Sequence, residues 1–460
     1  MLGNTAMQAI DQYRSTLDQL SKGIWAHPEA GYRETYACDA TAKVLRDAGF
    51  EVEIGAGGVP TAIRASFGSG HPVIGLLGEY DALPGLSQEC CGTEKKPVEG
   101  QGYGHGCGHN LLGVAHVGAA IGIKEEIEKN HLPGTVVYYG CPGEELLTGK
   151  PFMARGGAFR DLDLAMAFHP NTNNSATMGV STALNSAKFH FKGRTAHAGG
   201  DPHNGRSALD AVELMDVGAN YLREHVTSDV RIHYTILEGG TAPNIVPDKA
   251  SVWYYVRALS RDAVVDCYDR LVKIAKGAAM MTETEVEIEF LGGCYNRLNN
   301  KVLTEMVDGI MRELPQEPWT QEELDFAKKL NESSASQWKK FLQKHNLPED
   351  TQLHTGVLPI QYENTFASSD VGDVGHIVPT VSFTTACFAI GSPGHSWQFT
   401  SCSGSSIGEK GMIYAAKVMA VAGARILENP KIAEEAMAEF KASMGGKEYV
   451  CPIPDEVPLP

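Results

Sequence analysis

The sequence predicts an α/β protein of two domains, a central sheet flanked by helices with a ferredoxin-like β-α-β-β-α-β unit inserted into it. Three observations carry this prediction. Short, continuously apolar runs such as VIGLL (73–77) and LAMAF (164–168) alternate with helical stretches, the pattern of buried strands in a covered sheet. A middle region changes to alternating strands in the order strand, helix, strand, strand, helix, strand. The chain then returns to helices and to an apolar strand, VSFTTACFAI (381–390). The boundaries read from these changes are 1–183 for the first part of the main domain, 184–293 for the insert and 294–460 for the second part. A length of 460 residues is enough for two or three domains and a large core.

The elements follow in order. Ile10, Tyr13, Leu17, Leu20 and Ile24 form one helical stripe. A second helix runs from Thr35 to a stop at Gly49. TAIRASF (61–67), VIGLL (73–77), TVVYYG (135–140) and LAMAF (164–168) read as strands, with a helix at 111–129 among them. In the insert, AKFHFKG (187–193) alternates, a helix covers 206–225, and RIHYTILEGG (231–240) and ASVWYYVRA (250–258) are strands. A helix at 261–279 and the alternating TEVEIEF (284–290) complete it. TQEELDFAKKL is a polar helix, 407–428 is the last long one, and the proline-rich tail CPIPDEVPLP is irregular.

Composition narrows the function. A formal net charge of -17 argues against nucleic acid or an anionic membrane as partner. No window approaches the apolar length of a membrane span, and the N-terminus lacks the pattern of a signal peptide. Ten scattered cysteines suit reduced thiols in the cytoplasm, and Cys90-Cys91 reads as a pair of reduced neighbours.

The chemistry-bearing residues follow the strands. VIGLL leads to Glu79 and Asp81, TVVYYG to Glu144 and Glu145, LAMAF directly to His169, and VSFTTACFAI to His395. Open α/β sheets bind ligands beyond the carboxyl ends of their strands, so four strands deliver acids and histidines to one rim. GHGCGHN (104–110) precedes a helix and reaches the same rim. It admits three readings: a metal site, a nucleophilic Cys107 with His109 or His105 as base, or a glycine-rich turn. Thiolate, imidazole and carboxylate together make a transition-metal set that suits zinc or manganese. Cys107, His109, one glutamate, His169 and His395 exceed what one tetrahedral ion uses, whereas two ions sharing a ligand can employ them all. Cys107 and His109, two apart, face the same way if the segment is extended, and Gly104, Gly106 and Gly108 let it bend. On an extended segment Glu144 and Glu145 point oppositely, so one binds metal while the other stays free as a base.

Taken in order, GEYDALPGLSQ, GHGCGHNLLG, YGCPGEE, FHP and GSPGH resemble the aminoacylase and carboxypeptidase superfamily of two-metal amidohydrolases. Within it they are similar to the branch that holds hippurate hydrolase and the auxin-conjugate amidohydrolases. The resemblance covers nearly the whole chain. It implies that Cys107 bridges or caps the metal pair and that His109, Glu145, His169 and His395 are the other ligands. It implies Glu144 as general base and Asp81 as the aspartate that orients a ligand. GRTAHAG implies that His197 reaches a neighbouring subunit's site and steadies an oxyanion, which makes the insert a lid and dimerisation domain. GGTAPNIVPDKASVWYYVRA implies that Asn244 and Arg257 bind the substrate's carboxylate.

Two departures stand out. Glu79 stands where many superfamily members have a metal-binding histidine, and Cys107 takes over its share. Asn110 replaces an aspartate, a change expected to bear on metal preference.

The expected activity is hydrolysis of the amide bond of an N-acyl or N-aroyl amino acid, aminobenzoyl-glutamate-like, using two divalent ions, manganese or zinc, and Glu144 as base. The alternatives are a dipeptidase acting on β-alanyl or related dipeptides, a cysteine-dependent amidase using Cys107, and a non-catalytic subunit of a hetero-oligomer. The expected assembly is a homodimer or a pair with a paralogous subunit.

Overall fold

The computed structural model describes residues 3–460. Its main sheet has seven strands in the order 51–54, 63–69, 134–141, 73–79, 164–171, 380–386, 175–177. Strands 134–141, 73–79, 164–171 and 380–386 are mutually parallel and central. The flanking strands are antiparallel. All the residues of Val73–Glu79 are buried, which is why its sequence is apolar without alternation.

Helices Asn4–Ala26, His109–Asn130 and Ser406–Glu428 pack on one another and on this sheet. The first buries Ile10, Leu17, Leu20 and Ile24, with Tyr13 packed partly against the same core. The second, His109–Asn130, lies between sheet and helices and is buried almost all round, so it has no polar face to reveal its period. Phe152, Met153, Phe159, Val371 and Val374 cover the other face of the sheet. Among the described residues no helix is long and apolar enough to cross a membrane.

The middle region folds as its alternation predicts. Strands Ala183–Lys192, Arg231–Glu238, Lys249–Ala258 and Glu285–Cys294 form a separate antiparallel sheet with the 183–192 strand between 249–258 and 285–294. Helices Ala208–Leu222 and Arg261–Thr282 cover one face and share with it a core built on Phe189, Phe191, Val252 and Tyr254.

Some local expectations are corrected. LAMAF does not end before His169; the strand continues through it to Asn171, because pairing with Thr380–Ala386 persists there. Conversely, the 381–390 run leaves the sheet at Ala386, and its remaining apolar residues are buried in a loop. The strand expected at 61–67 begins at Ile63 and extends to Ser69.

Leu76 is fully buried at the centre of the sheet. Leu76→Ala is expected to cost about 2–5 kcal/mol through lost transfer energy and a residual cavity. Denaturant unfolding followed by circular dichroism should show the midpoint falling accordingly.

Candidate active site

The carboxyl ends of the four central parallel strands form a buried bowl. Strand Val73–Glu79 ends on Glu79, with Asp81 just beyond. Strand Gly134–Cys141 leads into a short turn, Glu144–Leu146. His169 projects from strand Leu164–Asn171. His395 lies in the loop before helix Trp397–Ser403, and its backbone N–H bonds to the Gly106 carbonyl at 3.1 Å. The GHGCGHN turn delivers Cys107 and opens helix His109–Asn130.

The backbone here differs from the extended segments expected. Gly108 is left-handed (φ 79), and a Cβ there would meet Phe388 and Pro170. It turns the chain so that His109 becomes the first helical residue and Cys107 remains in the turn before it. Gly104 serves a close approach, since a Cβ there would lie 2.0 Å from the Leu86 carbonyl oxygen. Glu144 and Glu145 do not point oppositely. The turn after left-handed Gly143 curls them together, and they lie 3.8 and 3.9 Å from His109 Nε2.

Asp81 joins the pieces. Its Oδ1 is 2.9 Å from His109 Nδ1, and its Oδ2 accepts the Glu145 backbone N–H at 2.9 Å. The Asp81 contact makes Nδ1 a donor, so Nε2 is the ring nitrogen left to face the bowl. The Cys107 thiol is 3.4 Å from His169 Nε2, and His395 Nε2 is 3.7 Å from Glu145. Donor atoms of Cys107, His109 and His169 lie within 4.8 Å of one another, as do those of Cys107, Glu145 and His395. Two ligand triads therefore share Cys107.

The environment is acidic, with Glu79, Asp81, Glu144 and Glu145 gathered around His109. Burial, with Glu79, Asp370 and Glu145 nearby, raises the Glu144 carboxyl well above its ordinary value. Burial likewise raises Glu145 to about 7. Burial opposes a charge on His109, but Cys107 and the Asp81 hydrogen bond outweigh it and raise its pKa. Burial and the neighbouring His109 lower His169 to about 4. Burial also pushes the Cys107 thiol up, with Glu145 adding to the effect, the opposite of an activated nucleophile. His105 faces away, its Nε2 3.1 Å from the Ile24 carbonyl. It is no base for the thiol.

A metal pair fits this donor set. His109 Nε2 and Glu145 Oε1 are buried without a hydrogen-bond partner, an arrangement costly for polar atoms that nothing binds. Mixed thiolate, imidazole and carboxylate donors suit a divalent transition metal.

Other anticipated residues lie elsewhere. His197 is exposed on the insert, where its Nδ1 accepts the N–H groups of Gly199 and Gly200 at 3.1 and 2.9 Å. Asn244 is exposed beside it, its carbonyl bonded to Ala198 N–H at 3.0 Å. Arg257 lies between the insert and the main domain, with Nη1 3.4 Å from both the Phe366 carbonyl and Ser368 Oγ. None of the three joins the ligand triads. Asn110 binds Ser21 and the Ser403 carbonyl at 3.0 and 2.9 Å. It ties helices together and does not face the donors, so the expected bearing on metal preference has no direct contact behind it.

Sequence reading missed four groups: Glu34, Lys150, Asp370 and Arg297. Glu34 accepts the Gly143 N–H and the Thr61 hydroxyl, each at 2.8 Å, and so anchors the Glu144 turn. Lys150 is fully buried between Glu79 and Asp370. Arg297 carries a buried, unpartnered Nε near Glu144 and Glu79. No local pattern distinguishes these from surface charges, since only the fold brings them inward.

Known proteins share this architecture. A family model described as the peptidase dimerisation domain matches residues 182–280, which hold the first three strands of the separate sheet. One of the subunits of p-aminobenzoyl-glutamate hydrolase from Escherichia coli is 40% identical, covering 98% of this chain and 97% of that protein. The mouse Xaa-Arg dipeptidase is 28% identical over 96% of this chain and 93% of its own. A solved structure from Bacillus subtilis, described as a dinuclear metal binding peptidase from the M20 family, shares the fold. Its TM-score is 0.61 at 16% identity, covering 91% of this chain and 99% of that one. The chain belongs to the M20 family of peptidases and amidohydrolases, hydrolases of amide bonds.

Burial and Asp81 raise Glu34 from 4.5 to about 7. A carboxyl raised in the folded state adds stability below its unfolded value and loses it as pH climbs through the folded one. Metal-free protein should therefore lose melting temperature between pH 4.5 and about 7. Glu34→Gln, which keeps an acceptor without the charge, should flatten that loss, and parallel melting curves would remove Glu34 as its source.

Proposed function

We propose that the chain hydrolyses the amide bond of an N-acyl or N-aroyl amino acid, with p-aminobenzoyl-glutamate the first substrate to test. The observation that carries this reading is the pair of ligand triads sharing Cys107, with Glu144 beside them. The whole-length relative named for that substrate supports the choice.

Cys107, His109, Glu145, His169 and His395 would hold two divalent ions, manganese or zinc. When bound, the pair supplies polarisation of the scissile carbonyl and acidification of the attacking water. Glu144 takes that water's proton and passes it to the leaving amine. Its carboxylate lies 3.8 Å from His109 Nε2, beside the triads that would hold the ions. Asp81 keeps His109 in the tautomer that binds metal, through the 2.9 Å contact at Nδ1.

The insert completes the site. His197 Nδ1 accepts two backbone N–H groups, so its Nε2–H is free to donate outward to a developing oxyanion. Its exposure suits a role in a partner's site within a dimer built through the insert. Asn244 and Arg257 are the proposed carboxylate grip. The partner is a second copy of this chain; a paralogous subunit is the alternative, raised by the relative's own name as one subunit of its enzyme. We place the domain limits at 1–183, 184–293 and 294–460, and the protein in the cytoplasm, in keeping with its ten free cysteines.

Dipeptide hydrolysis is the second reading, supported by the whole-length dipeptidase relative. A screen of N-acyl amino acids and dipeptides with added manganese separates the two. Complete chelation should abolish hydrolysis and manganese or zinc restore it; activity that survives metal removal would revive Cys107 as nucleophile. Glu144→Gln should retain metal by elemental analysis while turnover falls about 10²–10⁴-fold. Mixing His197→Ala with Glu144→Gln protein should recover activity in mixed dimers. No recovery in demonstrated mixed dimers counts against the cross-subunit role.

A further inference from the structure

Lys150 is the second residue of helix Gly149–Arg155, which follows the turn that carries Glu144 and Glu145. Its side chain is fully buried, and its ammonium donates to Glu79 Oε1 at 2.5 Å and to Asp370 Oδ1 at 2.6 Å. Asp370 grips Lys150 a second time, its Oδ2 accepting the Lys150 backbone N–H at 2.9 Å. Both carboxylates are buried as well. Asp370 thus fixes where the ammonium sits, and the ammonium fixes one oxygen of Glu79.

The other oxygen of Glu79 faces the bowl. Its Oε2 lies 3.4 Å from His109 Nε2, the buried nitrogen that has no hydrogen-bond partner. Donor atoms of Glu79, His109 and Glu144 lie within 4.8 Å of one another, a third cluster overlapping the two that share Cys107. Oε1 is engaged by the lysine, whereas Oε2 is directed at a nitrogen that the two-metal reading assigns to a metal.

We propose that Glu79 is an additional donor to the metal centre and that Lys150 is the positioning residue that aims it. The inference rests on the two-metal reading above. Lys150 acts through Glu79: it holds Oε1 and thereby sets the direction of Oε2. Asp370 supplies the counter-charge and the backbone grip that keep the lysine from following Glu79 into the bowl.

The test measures metal binding rather than turnover. Wild type, Lys150→Met, Glu79→Gln and the double variant are stripped of metal and dialysed against buffered manganese or zinc, and bound metal is counted by elemental analysis. Far-UV circular dichroism and melting of the metal-free proteins report folding separately. Lys150→Met and Glu79→Gln should each weaken metal binding about 10- to 100-fold. The double variant should be no weaker than Glu79→Gln alone, because both changes remove one interaction. Wild-type metal affinity in folded Lys150→Met, or losses that add in the double variant, would overturn the positioning role. Should Lys150→Met fail to fold, Glu79→Gln decides, since it keeps the shape and an acceptor for Lys150; unchanged affinity there overturns the proposal. Wild type that binds no metal overturns the two-metal reading itself, and this inference with it.

Discussion

The carboxylate of Asp81 is the joint on which the site depends. One oxygen holds His109 Nδ1 and the other holds the Glu145 backbone N–H. Three segments distant in sequence meet there: the end of a central strand, the first residue of the buried helix and the turn after the neighbouring strand. A hydrogen bond to each is modest alone. In a buried setting their combination fixes a tautomer, a ring orientation and the course of a turn. Glu34 supports the same turn two residues earlier, through Gly143 N–H. His109 and the Glu144–Glu145 turn are thus held in place by buried carboxylates.

Around this joint the protein gathers acids that repel one another. Glu79, Glu144, Glu145 and Asp370 are all at or near the bowl, and burial disfavours their charges. Two buried cations are set against them: Lys150, which engages Glu79 and Asp370, and Arg297, which lies near Glu144 and Glu79. Among the described residues, Glu144 and Glu145 have no cation within ion-pairing reach other than the histidines. Such a site costs stability by itself, and divalent ions at the shared-cysteine triads would offset that cost.

The insert obeys different constraints. Its sheet and helices share a core of their own, while the loops that carry His197 and Asn244 are held to each other, by Ala198 N–H to the Asn244 carbonyl and by pairing of His197 with Ile245. The His197 and Asn244 side chains are both exposed to solvent. That arrangement suits residues presented to a partner.

Much of this was legible in the sequence. Unbroken apolar runs marked the central strands, because strands covered on both faces need no polar residues, and alternation marked the insert, because its sheet is covered on one. The acids and histidines were found because parallel strands present their carboxyl ends on one rim, whatever the intervening loops do. What sequence could not decide was direction. Gly108 and Gly143 turned segments that looked extended, so His109 opened a helix and the two glutamates converged. Asn110, within the motif, turned out to bind helices rather than face the donors. Glu34, Lys150 and Asp370 had no local signature at all. Their importance comes from burial, and burial of a charged side chain is a property of the packed chain: only there does losing water force each charge to find one particular partner.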